Sequence, residues 1–304
     1  MPVMSNTKPA QTVPALALLF LFCIALGGSA QARAQMNIAA TIPPLQFIAQ
    51  AVLGEHGAAT AVMDVQDSPH HFNLSPGDRL AFAEADLILW IGPTLETQLD
   101  SFLARPEQQR KALAASALPA LTLRRLDSGE TDPHLWLDPE NARAIAAALA
   151  TRLGELDAPN NAAYAQNLAA FGRTLDALQD EVVSRLRGLS QVPFLVYHDA
   201  YRYFEQRFGL SHALALVGNT EVQPGMRELL ERRRQIGELG ARCLLLEPEA
   251  NSELVATLIG SRSAMHSETV DVLGFAVEPG PDAYRQLISG IAGQFQDCLR
   301  AGSG

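Results

Sequence analysis

The sequence is poor in several things that would have fixed its class early. It has only three cysteines, so a disulfide-dense scaffold is excluded. No C-x-x-C and no H-E-x-x-H occurs, which removes the local zinc-ribbon and zincin patterns. There is no internal repeat to argue from. Basic residues are outnumbered, 23 Lys and Arg against 33 Asp and Glu. A nucleic-acid partner, which needs clustered Lys and Arg for phosphate, is therefore not expected. One long apolar run exists, Ala15–Leu26, and it is too short to cross a bilayer, where about 20 residues are needed. No stable membrane insertion is expected.

That run has Lys8 upstream and ends in the small-residue stretch Ala32-Arg33-Ala34. The layout is that of a secretory signal peptide over residues 1–34, cut before Gln35. Cys23 leaves with it; a lipoprotein role for Cys23 is disfavoured by the bulky Leu21-Phe22 before it. Removal takes two basic residues and no acidic one, moving the net charge from −10 to −12. Cys243 and Cys298 remain. In an oxidising compartment such a pair is expected to form one disulfide.

The exported chain alternates short apolar runs with helical stretches, the pattern of α/β architecture. Expected strands are Met36–Ile42, Ala59–Asp64, Asp86–Ile91, Pro193–Tyr197, Ala213–Val217, Cys243–Leu246 and Thr269–Val272. Expected helices include Pro44–Leu53, Gly225–Leu239 and Ser252–Ser261. One stretch differs. From Asn160 to Leu189 the apolar residues Tyr164, Leu168, Phe171, Leu175, Leu178, Val182, Leu186 and Leu189 fall three or four apart, which is one long amphipathic helix. It reads as a rigid spine over 157–190, joining an α/β lobe over 35–156 to another over 191–304. A coiled-coil dimer is the rival reading. The stripe covers barely four heptads, so packing on its own lobes, and a monomer, is the expectation.

Three of the seven histidines stand where an element ends or begins. His70 lies in Asp67-Ser-Pro-His-His-Phe-Asn-Leu-Ser-Pro-Gly-Asp78, His134 in Asp132-Pro-His-Leu-Trp-Leu-Asp-Pro139, and His198 at the end of the apolar run in Tyr197-His-Asp-Ala-Tyr-Arg-Tyr-Phe-Glu205. Open α/β sheets collect ligands at the carboxyl ends of their strands. Neutral imidazole is a good Zn²⁺ ligand, and three leave a fourth position for a carboxylate or water. Asp271, placed at the end of the last expected strand, is the carboxylate candidate. Asp199 and the backbone of the Asp-Pro loops are candidate acceptors for the second ring nitrogens. Glu247 either lines the cleft or serves as a cap or surface acid. Trp90 and Trp136 are expected beside the cleft rather than on metal, and Arg232, Arg233 and Arg234 on a solvated helix face.

In this order, S-P-H-H-F-N-L-S-P-G-D, D-P-H-L-W-L-D-P, Y-H-D-A-Y-R-Y-F-E and D-V-L-G resemble the substrate-binding proteins of zinc and manganese ABC transporters, the cluster A-I or cluster 9 group. The resemblance covers essentially the whole exported chain. It implies two α/β lobes joined by the long helix, with metal in the cleft between them. Position by position it implies His70, His134, His198 and Asp271 as metal ligands. Histidine rather than Glu at 198 resembles the zinc members, and Cys243–Cys298 resembles a disulfide of zinc-uptake members. The implied role is a periplasmic Zn²⁺ carrier serving an ABC permease, with no catalysis. A manganese or iron carrier and an exported zinc hydrolase are the alternatives. Two departures stand out: Arg124–Asp132 lacks the histidines many zinc members carry there, and Pro69 stands where some have Glu. His71 is a bystander or an assisting neighbour.

Overall fold

The structure is a computed structural model. It describes residues 1–4, 35–64, 70, 73–126, 128–217, 225–260 and 265–302. The expected signal segment, Cys23, Pro69 and His71 thus lie outside the described residues, apart from Met1–Met4, which have no regular secondary structure.

The first sheet is built from β1 (Met36–Ala40), β2 (Gly57–Ala61), β3 (Leu87–Trp90) and β4 (Ala112–Ala114), in the order β2-β1-β3-β4. All pairings are parallel, with Ala39 opposite Thr60 on one side and Ile88 on the other. Leu87–Trp90 is buried at every position. A strand covered on both faces reads as an unbroken apolar run, which made it visible in the sequence. The helices α1 (Pro43–Leu53), α2 (Pro76–Glu84), α3 (Thr97–Leu103) and α4 (Pro106–Gln109) connect these strands. β4 escaped the sequence reading, because three half-buried residues are too short a run to show a period.

Two helices follow, α5 (Pro139–Leu156) and α6 (Asn161–Leu186). At 1.5 Å per residue α6 is about 39 Å long. Tyr164, Phe171, Leu175, Leu178, Val182 and Leu186 form its buried stripe. Its stop lies at Gly188, whose φ of 81° is a left-handed conformation that a side chain would resist. The second sheet then takes β5 (Phe194–His198), β6 (Leu214–Val217), β7 (Cys243–Leu246) and β8 (His266–Thr269), in the order β6-β5-β7-β8 and again parallel. Its helices are α7 (Arg202–Phe208), α8 (Met226–Leu239), α9 (Ser252–Ile259) and α10 (Ala283–Gly302). The fold is therefore two parallel α/β lobes with a long helix between them in the chain. α6 packs on α1 and α5 of the first half and on α10 of the second. Its apolar stripe is thus covered by its own chain.

The last strand departs from expectation. It spans His266–Thr269, not Thr269–Val272. β8 is an edge strand bonded only to β7, so its polar residues can face water. The apolar residues that suggested a strand, Val270, Val272 and Leu273, instead run past its end into the core. Cys243 on β7 and Cys298 on α10 are joined by a disulfide with Cα atoms 5.3 Å apart, fixing that helix to the sheet. The main core runs from the first sheet through α5, α6 and α10 to one face of the second sheet. A smaller cluster, including Leu195, Leu216, Ile236 and Leu258, fills the other face of the second sheet.

Candidate metal site

His198 is the last residue of β5, the point where its side chain leaves the sheet at the carboxyl edge. Glu247 immediately follows β7, the strand bonded to β5, so the sheet order delivers it to the same edge. His198 Nδ1 lies 2.5 Å from Glu247 Oε2. His134 sits in the loop before α5. Asp132 accepts from both the backbone N–H of His134, at 3.0 Å, and its ring Nδ1, at 2.7 Å. The next residues make a short 3₁₀ turn, and Asp138 then caps α5 by accepting from Glu140 N, with Pro139 in the first turn. His70 precedes α2, which opens with a capping box between Ser75 and Asp78.

Four side chains lock the His134 loop to the second half of the chain. Arg207 makes a two-pronged ion pair with Asp138, at 2.7 and 2.9 Å. Tyr203 Oη donates to Asp132 O at 3.0 Å. Trp136 Nε1 donates to Val272 O at 2.9 Å, and Tyr284 Oη donates to Trp136 O at 2.7 Å.

The result is a convergence of three imidazoles from distant parts of the sequence. One ring nitrogen from each of His70, His134 and His198 lies within 4.8 Å of the other two. His198 Nε2 and His134 Nε2 are 3.3 Å apart. Because both Nδ1 atoms face carboxylates, both Nε2 lone pairs point at the same place. Nitrogens bound tetrahedrally to zinc at about 2.0–2.1 Å would be about 3.3 Å apart, the spacing of this pair. Burial works to lower the His198 pKa, but the Glu247 carboxylate outweighs it and holds the ring above its ordinary 6.5. Trp136 packs beside the site, its ring 5.4 Å from that of His134.

The three histidines line a cavity of about 1020 Å³. The 126–131 segment contributes Leu126, Ser128, Glu130 and Thr131 to its wall. Arg232 also faces it, donating to Ala215 O, and so is not on the solvated face expected for it; Arg234 is, paired with Glu231 and Glu238.

Asp271 does not join the three histidines. With β8 ending at Thr269, Asp271 falls in the turn beyond it. There its carboxylate accepts from the backbone N–H groups of Leu273, Gly274 and Ala276, at 2.8–3.1 Å. The acceptors behind the ligands also differ from expectation. Asp199 is taken by Arg202, and Glu247 serves His198 instead. For His134 the acceptor is the Asp132 side chain rather than a backbone carbonyl. Glu247 carried one usable signal, its place directly after an apolar strand.

The sequence profile of the family described as "Zinc-uptake complex component A periplasmic" matches residues 38–298. The chain belongs to this family. By that description its members are periplasmic components of zinc-uptake complexes. The high-affinity zinc uptake system protein ZnuA of Brucella abortus (strain 2308) is 32% identical over 94% of this chain and 97% of the relative. The ZnuA of Paracoccus denitrificans (strain Pd 1222) is 30% identical over 91% and 96%. Among solved structures, a ZnuA deletion mutant with zinc bound superposes with a TM-score of 0.74 at 25% identity, covering 89% of this chain and 99% of that one. The periplasmic zinc-binding protein TroA of Treponema pallidum gives 0.77 at 19% identity over 88% and 99%, a likeness that speaks for the fold alone. No helix among the described residues is long and apolar enough to cross a membrane.

Proposed function

We propose that this protein captures Zn²⁺ in the periplasm with His70, His134 and His198 and delivers it to a membrane ABC permease. The observation that carries the reading is the three-imidazole convergence, with two Nε2 atoms 3.3 Å apart. An all-nitrogen set suits Zn²⁺, whereas hard carboxylate oxygens suit Mn²⁺. The relatives named for high-affinity zinc uptake support the same cargo. Zn²⁺ is held as cargo, with no catalytic step. Residues 1–34 serve export and are removed. The exported chain acts as a monomer with no nucleic-acid partner.

The fourth coordination position takes an oxygen donor, water or the Asp271 carboxylate. An Asp271→Ala variant tests whether the carboxylate leaves its turn to take over. Unchanged zinc affinity assigns water; a loss of tenfold or more assigns Asp271.

The defining experiment is metal analysis of the purified exported chain, with competition between Zn²⁺ and Mn²⁺ after chelator treatment. One zinc per chain, held against a large excess of Mn²⁺, is expected. Displacement of zinc by comparable Mn²⁺ would overturn the zinc assignment. Hydrolytic turnover by the zinc-loaded protein, lost in His198→Ala, would overturn the carrier reading.

A further inference from the structure

We infer that Glu247 and Asp132 are positioning residues that set the affinity of the cargo site, acting through His198 and His134. Both carboxylates are buried, and both give one oxygen to a ligand imidazole, at 2.5 and 2.7 Å from Nδ1. Their remaining oxygens, Glu247 Oε1 and Asp132 Oδ2, are buried with no hydrogen-bond partner. The hydroxyl of buried Tyr201 lies close to Glu247. An unpaired buried carboxylate oxygen works against folding. Those oxygens add nothing to the stability of the fold, which leaves room for a role at the ligands.

A divalent cargo supplies such a role. Donation from Nδ1–H to a carboxylate fixes the tautomer, aims the Nε2 lone pair and raises its basicity. Two neutral imidazoles backed in this way bring two negative charges beside the place where a doubly charged cation would sit. The charge of the cargo is then balanced without a carboxylate in its coordination sphere. This agrees with the engagement of Asp271 by backbone amides.

The molecule contains its own control. His212 is backed by Glu205 in the same manner, with Nδ1 2.8 and 3.0 Å from the two carboxylate oxygens. Glu205 is also buried, yet His212 is outside the three-histidine group. If carboxylate backing served only to hold histidines in the fold, the two kinds of pair would behave alike.

The inference rests on the histidines being the cargo site, and the test separates the two claims. Glu247→Gln, Asp132→Asn and Glu205→Gln are made in the full exported chain. Zinc affinity is read by competition with a chromophoric chelator, and Co²⁺ is used as a spectroscopic probe of the coordination sphere. Glu247→Gln and Asp132→Asn are each expected to weaken zinc binding 10–100-fold. In the double variant the loss should exceed either single loss without the factors simply multiplying, because the two ligands meet at one ion. Glu205→Gln should bind as the parent does. The visible Co²⁺ bands should shift in Glu247→Gln and stay put in Glu205→Gln. Glu247→Asp keeps the charge but draws it back by one methylene, so a smaller loss is expected; it also serves if Glu247→Gln fails to fold. Parent-like affinity and an unmoved Co²⁺ spectrum in the Glu247 and Asp132 variants would overturn the inference. So would an equal loss in Glu205→Gln. If His198→Ala itself still bound zinc tightly, the cargo-site reading would fall instead.

Discussion

The two sheets share one strand order, and in each a buried glutamate lies beyond the strand beside the first, Glu96 before the helix that follows β3 and Glu247 directly after β7. In the first lobe Glu96, after β3, faces Thr41, the residue after β1. In the second Glu247, after β7, faces His198 at the end of β5. The two acids are satisfied differently. Glu96 accepts from Thr41 Oγ1 at 2.5 Å and from the backbone N–H groups of Ile91 and Gly92, at 3.1 and 2.9 Å. Gly92 takes a φ of 133° there, and a Cβ on it would meet Ser116 Oγ at 2.1 Å. Glu247 gives one oxygen to an imidazole and lies beside the Tyr201 hydroxyl, with no backbone amide among the described residues closing over it. A strand-order switch point is thus a place where an α/β sheet can hold a ligand, not one where it must. In one lobe the backbone closes over the acid; in the other the acid serves a side chain that lines the cavity.

The largest effect that distinguishes the two points is on metal. Replacing His198 with Ala should weaken zinc binding by about 1,000-fold or more, since one of three protein ligands is lost. Replacing its positional counterpart Thr41 with Ala should leave zinc affinity unchanged. Equilibrium dialysis against a zinc buffer reads both, and a matching loss in Thr41→Ala would dissolve the contrast.

The second lobe also carries the covalent tie. Removing Cys243–Cys298, with its sequence separation of 55, should cost about 4 kcal/mol in the chain-entropy picture. Denaturant unfolding of the double Ser variant measures this. The pair lies between β7 and α10, at the opposite end of the sheet from His198, so zinc stoichiometry should stay at one.

A pH effect belongs to the first lobe. Burial pushes Glu96 from the ordinary 4.5 up to about 7, against the pull of its hydrogen bonds. Between those values the folded protein keeps a proton that the unfolded chain releases. The Glu96 contribution is therefore most favourable at the acid end, declines as pH rises from 4.5 to about 7, and is flat above. The total change is about 3 kcal/mol. Chemical denaturation across this range should show less of that decline in Glu96→Gln than in the parent; equal slopes would contradict the assignment.

The smallest effect compares helix caps. Ser75 caps α2 of the first lobe, and Asn251 caps α9 of the second by accepting from Glu253 and Leu254 N. Each change to Ala should cost about 1 kcal/mol. If only the Ser75 variant also lost zinc, the capping box would be shown to hold the His70 segment in place.

Much of this was legible in the residues. The long helix showed itself because its buried stripe is regular; Leu175, Leu178 and Val182 are all buried. The buried strands showed as unbroken apolar runs, and His198 was visible as the polar end of one. Other features were hidden for identifiable reasons. β8 is polar because it is an edge strand, while apolar Val270 and Val272 beyond it looked more strand-like. Asp199 suggested itself behind His198 by adjacency, but neighbouring residues at a strand end point to opposite sides, and Arg202 takes it. Glu247 lies 49 residues from His198, and only the placement of β7 beside β5 brings them together. The position of Asp271 depended on where β8 stopped, so one misplaced strand end hid the turn that holds its carboxylate.

The central claim is that three imidazoles from separate parts of the chain meet on one zinc ion. X-ray absorption at the zinc edge, on protein loaded with one equivalent, tests it directly. The account predicts three imidazole nitrogens at about 2.0–2.1 Å and one oxygen donor, with no sulfur. In His198→Ala the imidazole count should fall to two. Two or fewer imidazoles in the parent protein, or a zinc–sulfur distance of about 2.3 Å, would contradict it.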